Sequence, residues 1–205
     1  MARPKGDIDT RIVHAARARF LTEGVDGSSL RAIAKDAGTN VGMIYYYFPT
    51  KDDLFLAVVD NVYTALLDDL TVALSPEHDV RERFQRVYRR IASLSDVEFD
   101  VIRIVVREAL VSSSRLQRLF ERFTQGHVPM LLRALQEGLG DGTFDGQRPL
   151  PAVFAALAST AIFPQLILRR IVADLPTIAG IVPAPEAMAD ALFDIVLHGA
   201  APSKR

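Results

Sequence analysis

Apolar residues recur along this chain at steps of three and four and almost nowhere in strict alternation, so the pattern predicts helices throughout. Ile8, Ile12, Ala16 and Phe20 fall at steps of four and mark an amphipathic helix over residues 8–23, stopped by Gly24. Leu30, Ile33, Ala34 and Ala37 line one side of a second, short helix. Gly38 supplies the backbone freedom that ends it and lets the chain reverse. Asn40 is a good N-cap for a third helix, whose Ile44 and Phe48 stand one turn apart and face the second. Val41, Met43, Tyr45 and Tyr47 are left on the other faces of a helix too short to be stable alone. Two short helices around a glycine turn, then three consecutive tyrosines and Lys51, are the pattern of a helix-turn-helix whose phenols and ammonium donate to DNA phosphates.

Beyond Lys51 the helical period continues. Leu54, Val58, Val62, Leu66 and Leu70 make a long stripe over about 51–73, with Asp60, Asn61, Asp68 and Asp69 on the wet side. No Gly/Pro/Ser-rich linker separates this fourth helix from what precedes it, so it can transmit movement mechanically. Ser75-Pro76-Glu77 is expected to start a fifth helix that runs through Phe84, Val87, Tyr88 and Ile91. An apolar helix over 97–111 is interrupted by Arg103, Arg107 and Glu108. Residues 116–135 are expected to form another, bent near Gly126 and Pro129, with a turn-rich loop after it over 138–146. Residues 150–168 carry no charge, and by length alone could span a bilayer, but Ser159, Thr160, Gln165 and two prolines favour a soluble helix that packs on both sides. The last helix, over 185–198, carries Met188, Ala191, Leu192, Ile195 and Val196 on one side.

Composition adds bounds. The 205 residues, 49% of them hydrophobic, suffice for one large or two small domains, and the absence of cysteine excludes a disulfide framework and a thiolate zinc site. MARPKGDIDT has no apolar run of the kind a secretory signal needs, so a cytoplasmic location is expected. The net charge is −1, but residues 1–51 carry eight Lys/Arg against five Asp/Glu, which places the positive balance where a phosphate backbone would need it.

Candidate chemistry is sparse. Glu77-His78-Asp79 reads as helix-start capping rather than a metal site, because neighbouring residues on a helix point in different directions. Gly138 to Gly142 lacks the preceding strand of a nucleotide-binding loop, and Ser112-Ser113-Ser114 lacks a nucleophile elbow and a nearby histidine. The four histidines show no ligand spacing. No acid, base and nucleophile converge, so no enzyme activity, cofactor or metal is expected. The competing readings are a helical enzyme or small-molecule carrier, and a DNA-binding protein without an effector.

Thr10-Arg11, Ala15-Ala16, Phe20, Glu23-Gly24, Ser29, Ile33-Ala34, Ala37-Gly38, Gly42, Ile44-Tyr45, Tyr47-Phe48, Lys51 and Leu54 together resemble the N-terminal domain of the TetR family of bacterial transcriptional regulators, over roughly residues 7–66. The resemblance implies an all-α fold: a three-helix DNA-binding domain over 1–51, joined through the long fourth helix to an effector-binding and dimerisation domain over 52–205. It implies a homodimeric repressor of a palindromic operator on double-stranded DNA, released by a small, largely apolar effector, with no membrane partner. By the same resemblance Arg31, Thr39, Asn40, Val41, Gly42, Met43, Tyr45, Tyr47 and Lys51 meet the DNA. Val41 and Met43 would touch a thymine methyl, Tyr45, Tyr47 and Lys51 would hold phosphates, and Arg31 would do either. Phe99, Arg103, Arg107, Phe123, His127 and Phe163 are the effector-pocket candidates, against the alternative of core aromatics and snorkelling arginines. Leu157, Ala161, Met188, Ala191, Leu192 and Ile195 are the dimer-interface candidates on the two late helices, against the alternative that both helices complete a monomer core.

Overall fold

The computed structural model describes residues 8–178 and 180–200, which hold ten α-helices and no strand. They are α1 (Ile8–Gly27), α2 (Leu30–Asp36), α3 (Val41–Tyr47), α4 (Lys51–Ala73), α5 (Val80–Ala92), α6 (Asp96–Val111), α7 (Ser113–Thr124), α8 (His127–Gly140), α9 (Leu150–Asp174) and α10 (Pro185–Ala200). The helices form two compact units that are not contiguous in sequence. One takes the described part of Met1–Leu66 with Ser95–Arg122, and the other Leu67–Leu94 with the described part of Phe123–Arg205.

In the first unit, α1 packs on α2, α3 and α6. Ile12, Ala16 and Phe20 of α1, Ile33 of α2, Ile44 of α3, and Leu54, Phe55 and Val58 of α4 are at most 1% exposed, so the stripes read from the sequence are its core. Gly24 has φ 76°, a left-handed conformation that ends the regular part of α1 where the sequence places its stop. The first turn of α4 is closed reciprocally: the Asp53 amide donates to the Thr50 hydroxyl at 3.0 Å, and the Thr50 amide to the Asp53 carboxylate at 3.0 Å. Ser95 and Glu98 close α6 in the same way.

In the second unit, α5 lies against α8, α9 and α10. Tyr88 meets Phe193 at a tilt, ring centroids 5.1 Å apart, and its hydroxyl donates at 2.9 Å to the Leu157 carbonyl beside the Thr160 hydroxyl. Burial pushes its pKa up to about 12. Phe144 meets Phe84 edge to face at 5.5 Å and is fully buried. Arg169 donates at 2.8 and 2.6 Å to the Leu94 and Ala92 carbonyls, completing the C-terminal end of α5.

Two sequence expectations shift. The fifth helix begins at Val80, not at Ser75, because the segment 75–78 closes a turn of its own and Asp79 is the N-cap, accepting from the Glu82 amide at 2.8 Å. Residues 116–135 are two helices rather than one bent helix, because Gly126 takes non-helical dihedrals between them. Pro129 then falls in the first turn of α8, where a missing amide costs no hydrogen bond.

Candidate nucleic-acid interface

The turn that aims α3 is built from backbone bonds. Gly38 has φ 65°, and the amides of Gly38 and Thr39 donate to the Lys35 and Ala34 carbonyls at 3.1 and 2.9 Å. Asn40 then caps α3, its side-chain oxygen accepting from the Met43 amide at 3.1 Å. A Cβ on Gly42 would stand 3.1 Å from that same oxygen, so the glycine also keeps the cap open. Ile44 is the one fully enclosed side chain of α3.

The rest of α3 is presented outward. Tyr45 is 54% and Tyr46 65% exposed, while Tyr47 is half-buried, its ring 5.1 Å from Tyr46 and 6.3 Å from Phe48. Tyr46, the least prominent of the three in the sequence pattern, is therefore the most accessible phenol. Arg31, Asn40 and Gly42 are exposed, and Thr39, Val41 and Met43 are half-buried. Lys51 is half-buried, with its ammonium donating to the Asp26 carbonyl at 3.1 Å.

Acidic groups around this face are neutralised from behind. Arg19 bonds both Asp36 and Glu23 at 2.7 Å and holds the Asp36 carboxyl below the usual carboxylate range. Arg115 and Arg118 of α7 do the same for Asp26 and Asp53, aided at Asp53 by Thr50. Arg122 pairs with Asp60 at 2.7 Å and lies over the Tyr63 ring. The Arg115, Arg118 and Arg122 row thus meets the Asp52, Asp53 and Asp60 row of α4. The arginines recur in the sequence at helical steps of three and four, but their pairing with Asp52, Asp53 and Asp60 is not legible there, because the partners are more than fifty residues apart.

A model of the bacterial regulatory proteins of the tetR family matches residues 12–58, the segment that holds α2, the turn, α3 and the start of α4. Residues 12–58 are a TetR-family helix-turn-helix. The nucleoid occlusion factor SlmA of Haemophilus influenzae is 24% identical over 146 residues, covering 64% of this chain and 67% of that protein. Among solved structures, the transcriptional regulator FadR from Bacillus subtilis, in complex with stearoyl-CoA, superposes with a TM-score of 0.73 at 19% identity, over 93% of this chain and 98% of that one. A TetR family transcription regulator from Marinobacter aquaeolei gives a TM-score of 0.70 at 20% identity, over 98% of this chain and 99% of that one. This TetR-family chain is a transcriptional regulator with an N-terminal helix-turn-helix and a larger helical C-terminal part.

The expected effector residues fall in both units. Phe99, Arg103 and Arg107 lie on α6 in the first unit, whereas Phe123, His127 and Phe163 lie in the second. Arg103 stands 3.9 Å from Asp100, and Arg107 reaches the Glu23 carbonyl at 3.4 Å. His127 is half-buried with its ring 5.0 Å from Phe123, and burial lowers its pKa. Phe163 is 48% exposed. A cleft of about 220 Å³ in the second unit is lined by Gln165, Leu168, Val172, Pro183 and Met188, and none of the six candidates borders it. That volume is below the range of about 300–1,000 Å³ usual for sites of drug-sized ligands.

The two late helices also divide differently. Leu157 and Ala161 are buried within their own unit, on the α9 stripe that continues through Val153 and Gln165. They are core of the subunit, so the expectation that they face a second copy is corrected. The outward positions of α9 include Phe163 and Ile167, the latter 54% exposed. On α10, Ala189, Phe193 and Leu197 face inward, Met188 and Leu192 are half-buried, and Ala191 and Ile195 are exposed.

Proposed function

We propose that this TetR-family regulator is a cytoplasmic homodimeric repressor that reads a palindromic operator with α3 and is released by a small, largely apolar ligand. The division of labour runs near residue 51, with residues 1–51 reading DNA and 52–205 serving effector and dimer. The observation that carries the DNA reading is the presentation of Arg31, Tyr45 and Tyr46 outward around a capped α3, beside an α4 start whose acids are already paired. Val41 and Met43 would contact thymine methyls, Gly42 would let the backbone approach, and Tyr45, Tyr47, Lys51, Thr39 and Asn40 would serve the phosphates and the rim of the groove. Two α3 copies would enter successive major grooves about 34–36 Å apart, or a multiple of that.

The apolar outer face of α9 supports the dimer. This helix is long and apolar enough to cross a membrane, yet its Val153, Leu157, Ala161 and Gln165 are buried against the other helices of its unit. With Phe163 and Ile167 outward, and Ala191, Leu192 and Ile195 on α10, a second copy is the occupant that suits both helices. An apolar effector is supported by the FadR structure, which holds stearoyl-CoA. The ligand would act by preferring a conformer whose reading heads no longer match the groove spacing.

Selection from a random duplex pool, followed by salt titration, tests this reading. A twofold-symmetric sequence whose affinity falls steeply with salt is expected, together with release on adding a long-chain acyl-CoA. Recovery of no preferred sequence would overturn the operator reading. Unchanged DNA affinity across a panel of apolar ligands would overturn the effector reading and leave a DNA-binding protein without one.

A further inference from the structure

Inside the first unit a single arginine joins three segments. Arg115 of α7 is 5% exposed, and its guanidinium meets three carboxylates: Asp52 at 3.0 Å, Glu108 at 2.8 Å, and Asp26. Burial works against its charge, but the hydrogen bonds to Asp26 and Asp52 outweigh that and hold it protonated. Glu108 is itself nearly inaccessible, and its other oxygen accepts from the Val25 amide at 3.1 Å. The Ser28 hydroxyl bonds the Gly24 carbonyl at 2.6 Å within the same turn. A Cβ on Gly24 would stand 2.7 Å from the Arg107 guanidinium, so the turn is also gripped closely by α6.

Lys51 is placed by this cluster from two sides. Its ammonium donates to the backbone carbonyl of Asp26, whose carboxylate is held by Arg115. Its chain neighbour Asp52 is held by the other arm of the same guanidinium. Asp53, next again, is tied to Arg118 and to the Thr50 cap. A planar fork with fixed donor directions can set these positions against one another, which a lysine's point charge cannot.

The geometry points to Arg115 as a positioning residue for DNA binding, which acts through Lys51 by fixing the α1–α2 turn and the first turn of α4 from behind. This rests on the reading of Lys51 as a phosphate contact. It places part of the DNA-binding machinery on α7, outside residues 12–58 where the family model matches. It also means that a movement of α7 would be felt at Lys51 through paired charges within one compact unit.

The test uses the full chain and a mixed-sequence duplex, which reports phosphate contacts without knowledge of the operator. Arg115→Lys and the double variant Arg115→Met/Glu108→Gln both conserve net charge, so a change in affinity reports geometry rather than long-range attraction. Thermal unfolding followed by circular dichroism identifies the folded variants, and Asp26→Glu, at an exposed position, supplies the same charge-conserving test if neither folds. Lys51→Met should lower the log–log salt slope by about 0.9 for each phosphate that Lys51 neutralises. Arg115→Lys should shift affinity and slope in the same direction, and in the Lys51→Met background it should change affinity by less than about twofold. Wild-type affinity and slope in a folded Arg115→Lys would overturn the inference. So would an equal weakening with and without Lys51, the signature of a general structural role. A wild-type chain that binds this duplex with no salt dependence would overturn the DNA reading itself, and a Lys51→Met variant that binds like wild type would remove the residue through which Arg115 is held to act.

Discussion

One helix seam in each unit of this chain shows a different way of holding helices together. In the first, α7 meets α4 through Arg115–Asp52, Arg118–Asp53 and Arg122–Asp60, while Leu116 and Phe120 of the same helix remain exposed. In the second, α5 is held mainly by Tyr88, Phe84, Phe144, Phe193 and Leu157. Apolar contact is non-directional and tolerates sliding, whereas a fork of charge-assisted bonds has one good arrangement. The seam behind Lys51 adds the directional kind to the apolar core of its unit. The α5 seam of the second unit rests on the kind that can repack, beside ion pairs such as Arg83–Glu137 and Arg89–Asp190.

The sharpest way to break this contrast is to remove the guanidinium without replacing it. Arg115→Ala leaves Glu108 charged at 1% exposure, with the Val25 amide as its remaining bond. Breaking a buried pair in this way costs about 3–5 kcal/mol. Urea unfolding should show that destabilisation, and should show most of it recovered in Arg115→Met/Glu108→Gln, where no charge is left unpaired. Equal instability of both variants would mean that packing, not charge, holds α7.

In the second unit the corresponding stress is steric. A Cβ on Gly138 would come within 2.6 Å of the Phe144 ring and 2.8 Å of Val80, both nearly inaccessible. Helix propensity alone favours alanine by about 1 kcal/mol, and overpacking costs about 1–3 kcal/mol. Gly138→Ala should therefore be neutral to destabilising by up to about 2 kcal/mol in the same unfolding experiment. A net increase in stability would show that this seam yields even more readily than the contrast requires.

A smaller effect is expected at the reading head. Asn40→Ala removes the α3 cap, which should cost about 1 kcal/mol and weaken DNA binding more than it lowers overall stability. Asn40→Asp keeps the cap and so separates it from any contact that the carboxamide makes.

How much of this was legible in the sequence follows from the range of the interaction concerned. Ile12, Ile33, Ile44 and Leu54 declared their burial through spacing, and Asn40 its cap, because both are local. The start of α5 was misplaced because Ser75 and Asp79 are both good caps, and only the closing of the 75–78 turn decides between them. Leu157 and Ala161 were read as interface because an apolar helix does not reveal which side meets its own subunit; the Tyr88 bond to the Leu157 carbonyl fixes that side. Arg107 and Glu108 stood out as charges in need of partners, but Glu23, Val25 and Arg115 are reached only through the tertiary fold.

The smallest predicted effect is a titration. His127 opens α8 beside Phe123, and burial lowers its pKa from the ordinary 6.5. The folded state therefore prefers the neutral ring, while the unfolded chain accepts a proton as the pH falls through about 6.5. Its contribution is fully present above that value, declines as the pH drops, and becomes constant below the folded pKa. The carboxyls of Asp26, Asp53, Glu137 and Asp190 are held below their usual range by arginine partners, so they stay ionised over the upper part of this window and interfere little. Urea midpoints at about pH 8 and about pH 5 should thus differ by less in His127→Phe than in the wild type. An equal difference in the two proteins would mean that the His127 ring takes up its proton as readily in the folded second unit as in the unfolded chain. The seam at the start of α8 would then be open to water, not only to repacking.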